Sequence, residues 1–111
     1  MSATMSLVEA ATIEAVSNAT TATRKWLEVH GDRDACGFAW VSIHGVRSNS
    51  KLGKELLANG WRKDYTRALV LWNPSKVGCQ SISALEQGAI AAARVIKERL
   101  GVDAFAQSRM D

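Results

Sequence analysis

The sequence predicts an α/β domain, with α+β as the alternative, ordered helix–strand–helix–strand–helix in two layers around a small sheet of two or three strands. Three observations carry this. Two apolar runs, Phe38–His44 and Ala68–Asn73, each end in a polar stretch. A short helical pattern separates them and a long one follows, the order of a βαβα unit. A further long amphipathic pattern precedes the first run.

The first element is a helix over residues 5–29. Val8, Ala11, Ala15, Ala19, Ala22 and Trp26 recur at spacings of three and four and form one apolar stripe. The stripe is thin, and Thr12, Thr20, Thr21 and Thr23 are stiff β-branched residues that weaken a helix. Such a helix must pack on something. It is longer than a domain of this size requires, which points to a second subunit. Gly31 is a fitting left-handed cap. Asp32-Arg-Asp34 forms a polar turn.

The first strand alternates. Ala39, Val41 and Ile43 face one way, and Phe38, Trp40, Ser42 and His44 the other. A short helix follows from Ser50, its N-cap, to a stop at Gly60, with Leu52, Leu56 and Leu57 buried. Residues 61–67 have no clear period and either form a loop or extend the next strand. In that strand Leu69 and Leu71 oppose Val70 and Trp72. Asn73 precedes Pro74, which favours an extended Asn73 and ends the strand.

The last helix has the most regular pattern. Ile82, Leu85, Ala89, Ala92, Ile96 and Leu100 make a continuous stripe. Ser83-Ala-Leu-Glu86 fits a capping box, Lys97 and Arg99 suit the C-terminal dipole, and Gly101 ends the helix. Residues 102–106 fit an edge strand, and 107–111 a mobile tail. The whole, residues 1–111, reads as one domain with a βαβα core over 37–101. Two or three strands make a sparse sheet, so a homodimer or higher oligomer is expected to complete or cover it.

The 111 residues are 47% apolar and 23% charged, ordinary values for a globular chain. No apolar run approaches the ~20 residues of a membrane span. The first residues lack the charge and apolar core of a secretion signal. The expected location is the cytoplasm, with no membrane partner. Cys36 and Cys79 lack metal or redox spacing and are expected to be reduced thiols. No spacing supports a metal site, and no glycine pattern marks a nucleotide cofactor, so no cofactor is expected.

The net charge of +3 is uneven: residues 47–67 hold six Lys or Arg against Glu55 and Asp64. If the two strands run parallel, their polar ends meet at one edge, where open α/β sheets bind ligands. His44, Arg47, Asn73, Lys76 and Gln80 would line that edge beside the last helix's N-terminus. This combination suits an anionic small molecule or an acidic protein surface. The alternative is a set of ordinary loop residues and caps.

Two other functions follow from other residues. Trp61, Arg62, Lys63, Tyr65 and Arg67 interleave aromatic and basic side chains, a pattern that binds single-stranded nucleic acid by stacking and phosphate contacts. No motif of a known nucleic-acid-binding fold accompanies it. Cys79 with His44 at a shared edge would make a thiol enzyme. No paired carboxylates stand in apolar surroundings, and the reading leans away from catalysis.

The run Cys36-Gly-Phe-Ala-Trp-Val41, the Trp72-Asn-Pro74 corner, Gln80-Ser81 followed by Glu86-Gln-Gly-Ala89, and the closing Ser108-Arg-Met-Asp111 together resemble small uncharacterised proteins encoded by bacteriophages and found in viral metagenomes. The resemblance covers about residues 36–111. It transfers no catalytic residue and implies a phage or host-cytoplasm context. The expectation is a non-catalytic binding or accessory protein that assembles with itself.

Overall fold

A computed structural model of the chain describes residues 6–33, 35–79 and 81–110. Helix α1 spans Leu7–His30, strand β1 Gly37–His44, helix α2 Lys51–Ala58, strand β2 Arg62–Lys63, strand β3 Leu69–Trp72, helix α3 Ile82–Leu100 and strand β4 Asp103–Met110. The mixed helix and strand class is as the sequence predicts. The sheet has four strands, in the order β2-β3-β1-β4, and every neighbouring pair is antiparallel.

The parallel arrangement of the two main strands is therefore corrected. Trp40 lies opposite Trp72 and Ile43 opposite Leu69. The reason is β2, a two-residue strand inside the segment without a clear period. Helix α2 returns the chain to β2, parallel to β1, and a hairpin then reverses it into β3. The units β1-α2-β2 and β3-α3-β4 interlock, each with a strand of the other between its own strands, which is the split βαβ arrangement.

Residues 103–110 form one continuous strand that pairs along the whole of β1, from His44↔Asp103 to Gly37↔Met110. The expected mobile tail is thus ordered from 107 to 110; Asp111 lies outside the described residues. Ser108 Oγ donates to Glu86 Oε2 of α3 and ties this end down.

One face of the sheet is apolar and covered. Ala39, Val41, Ile43, Leu69, Leu71 and Ala104 are buried there with Leu85, Ala89, Ala92 and Ile96 of α3. Helix α1 runs antiparallel to α3, with Thr23 near Ala84 at one end and Glu14 paired to Arg99 at the other. Small residues allow a close approach. A Cβ on Gly88 would run into the Thr23 hydroxyl and meet Ser75 Cβ at 3.0 Å.

Two helix ends depart from the expected chemistry: Gly31 closes α1 with φ 75° but ψ 176°, outside the left-handed helical region, and the N-cap of α3 shifts. Ser50 caps α2, accepting from Gly53 N at 3.0 Å, and Gly101 holds the left-handed C-cap of α3 at φ 65°. The N-cap of α3 is Ser81 rather than Ser83; its hydroxyl accepts from Ala84 N at 3.1 Å. Asn73 is not extended as Pro74 would favour. Its φ is 45°, and the N–H donates to Ala39 O at 3.0 Å.

Candidate functional site

Antiparallel pairing divides the expected site between two ends of the sheet. His44 and Arg47 lie beyond the C-terminal end of β1. Asn73 lies beside Ala39, five residues away and therefore about 17 Å along the strand. Lys76 follows Asn73 in the same turn, donating its N–H to Asn73 O at 3.1 Å. Gln80 lies outside the described residues. The four described residues, His44, Arg47, Asn73 and Lys76, do not converge as one edge.

His44 and Arg47 instead gain new neighbours. They line an open cleft of about 900 Å³ together with Ser48, Asn49, Lys63, Thr66 and Arg67. Three cations, Arg47, Lys63 and Arg67, share this cleft, and no carboxylate is among the residues that line it. Two of these residues, Lys63 and Arg67, carry a different function in the sequence reading, because the hairpin that folds them back toward His44 is not legible there.

Local structure fixes both walls. On one side the Arg47 carbonyl accepts from Ser50 N at 3.1 Å and Ser50 Oγ at 2.6 Å. Gly53 is required behind it, because a Cβ there would overlap the Arg47 carbonyl oxygen. On the other side the β2–β3 hairpin turns through Tyr65, Thr66 and Arg67. Asp64 N donates to Ala68 O at 2.9 Å and Arg67 N to Asp64 O at 3.0 Å. Arg67 sits at φ 70°, the left-handed position of a three-residue hairpin loop.

Asp64 clasps that loop. Its Oδ1 accepts from Thr66 N at 2.8 Å, Thr66 Oγ1 at 2.6 Å and Ala68 N at 3.0 Å. Burial alone would raise the Asp64 carboxyl. The hydrogen bonds from Thr66 and Ala68, with His44 close by, outweigh burial and hold the group below the ordinary carboxylate value. The charge next to the cleft is thus spent on holding the turn that carries Arg67.

The segment expected to bind nucleic acid is split. Trp61 is only 2% exposed, and its indole N–H donates to Thr12 Oγ1 at 3.1 Å, so it is a core residue. Tyr65 is 97% exposed at the hairpin tip. Arg62, Lys63 and Arg67 are exposed around it.

The thiol pair is also separated. Cys79 and Cys36 line a second cavity of about 380 Å³ near Gly37 and Asn73, at the other end of β1 from His44. That is about 25 Å by strand rise, so His44 cannot act as a base for Cys79. Neither cysteine forms a disulfide.

Comparison with family models, with curated proteins and with solved structures gives no match. Among the described residues, no group of three or more His, Cys, Asp or Glu is placed to hold a metal ion. No helix among them is long and apolar enough to cross a membrane.

Proposed function

We propose that the protein is a non-catalytic binding protein for an anionic ligand, held in the cleft between the end of β1 and the β2–β3 hairpin. One observation carries this reading: Arg47 from the β1–α2 loop and Lys63 and Arg67 from the β2–β3 hairpin meet in a cleft with no lining carboxylate. Gathering like charges costs free energy unless a counter-charge enters. Thr66, Ser48 and Asn49 add neutral hydrogen-bonding groups of the kind that orient a phosphate or carboxylate. The phage or host-cytoplasm setting belongs to the same proposal and rests on the sequence resemblance alone.

The test is a titration of isotope-labelled protein with inorganic phosphate and pyrophosphate, against a chloride control at matched ionic strength. The expected result is saturable movement of the His44, Arg47, Thr66 and Arg67 amide signals. Arg47→Ala should weaken binding by about tenfold or more, the size of one charged hydrogen bond. Signals that move equally with chloride would reject the reading.

A further inference from the structure

The cleft accounts for one end of the sheet and leaves its second face unassigned. On an antiparallel sheet the solvent face is ordinarily polar. Here the two central strands place aromatic side chains on it. Trp40 and Trp72 stack across β1 and β3 with centroids 5.2 Å apart and planes 17° apart. Phe38 lies 5.5 Å from Trp72, and the Arg109 guanidinium stands 5.8 Å over Phe38. Phe105 meets His44 edge-on at 4.7 Å, which joins this face to the cleft. Trp72 still leaves 48% of its surface exposed.

Charge decides between the possible occupants. Arg62 lies opposite Val70 on one edge strand, and Arg109 opposite Phe38 on the other, so cations flank the aromatic rows. Among the strand residues of this face Asp103 is the only carboxylate. An isologous contact with a second copy would set this cationic surface against itself. A single-stranded polynucleotide meets both features, its bases stacking on the rings and its phosphates pairing with the arginines. Four-stranded sheets that display aromatics from their central strands stack bases in this manner.

We propose that the open sheet face binds single-stranded nucleic acid, with bases on Trp40 and Trp72 and the backbone running toward the cleft. The inference rests on the anion reading for its phosphate end and adds the bases as an independent element. Trp61 takes no part, since it is buried.

The test is tryptophan fluorescence of the full chain titrated with a short oligothymidylate, an abasic oligonucleotide of equal length and inorganic phosphate. Wild type is compared with Trp72→Leu, Trp40→Phe and Arg47→Ala, each checked for folding by circular dichroism. Oligothymidylate should quench the fluorescence. Its affinity should fall by about tenfold in Trp72→Leu and should weaken with added salt, while the phosphate response persists. Equal binding of the abasic strand, or unchanged affinity in both tryptophan variants, would overturn the stacking and leave the cleft reading intact. Quenching by oligothymidylate, with no phosphate-induced movement of the His44, Arg47, Thr66 and Arg67 amide signals, would support the face and reject the cleft as an independent anion site. A doubled mass in light scattering, reversed by Trp72→Leu, would overturn the proposal and assign the face to a second copy.

Discussion

Arg67 adopts a backbone conformation in which its own side chain is a cost. At φ 70° a residue with a Cβ is disfavoured by about 1–2 kcal/mol relative to a right-handed conformation, and glycine is not. The hairpin tolerates it because Asp64 Oδ1 takes three hydrogen bonds and fixes the turn around it. Strain held in place by its surroundings is a common mark of a functional position. Arg67→Gly should therefore raise stability by about 0.5–1 kcal/mol in urea denaturation, since relief of strain exceeds the flexibility glycine adds to the unfolded chain. The same variant should bind phosphate about tenfold more weakly. A loss of stability would show that the Arg67 side chain supports the fold instead of the site. The cations themselves were plain in the sequence. Their convergence was not, because the turn from Asp64 to Ala68 contains no glycine or Asn-Gly signal of a hairpin.

Elements with strong periodicity were legible, and those set by tertiary contact were not. The stripe of α3 from Leu85 to Ile96 is buried as its spacing predicts. The alternation of β1 and β3 correctly separates Val41 and Leu71 from Trp40 and Trp72. Strand β2 is too short to show a period, and without it the sequence implies a parallel pair and a composite edge. In α1 the buried stripe drifts to Thr12 and Thr23, away from Ala22 and Trp26, because Thr12 meets the indole N–H of Trp61 and Thr23 meets a carbonyl oxygen of α3. Thr23 Oγ1 donates to Ala84 O at 2.8 Å. The same contact gives Gly88 its role. Helix propensity alone favours Gly88→Ala by up to about 1 kcal/mol. The added methyl group would meet Thr23, Ser75 and the Ala19 carbonyl, and overpacking of this kind costs roughly 1–3 kcal/mol. The expected outcome is a net loss in thermal and urea stability. A rise would mean that α1 can shift away from α3 at little cost.

At the scale of the molecule, the number of strands and the length of α1 are both accounted for within the chain, while the open face of the sheet keeps the question of a second copy for the mass measurement. Strands β2 and β4 complete the sheet. The 24 residues of α1 would extend about 36 Å, within the longest dimension of 44 Å, and the helix lies along α3 for much of that length. Three of the four threonines that weaken α1 in isolation, Thr12, Thr20 and Thr23, are the residues that attach it. Thr20 Oγ1 reaches Ser75 O at 2.6 Å, Thr23 reaches Ala84 O, and Thr12 accepts from the buried Trp61. A helix with low intrinsic propensity and three such tertiary attachments has little reason to persist after its support is lost. Helix α1 should then unfold together with the sheet in one cooperative step, as single domains of this size usually do. The central amides of Ala15 and Ala19, both fully buried, should exchange with solvent only through global unfolding. Their native-state hydrogen exchange free energy should equal the value from urea denaturation. Exchange at a clearly lower free energy would show that α1 detaches first and that the α3–sheet unit stands without it.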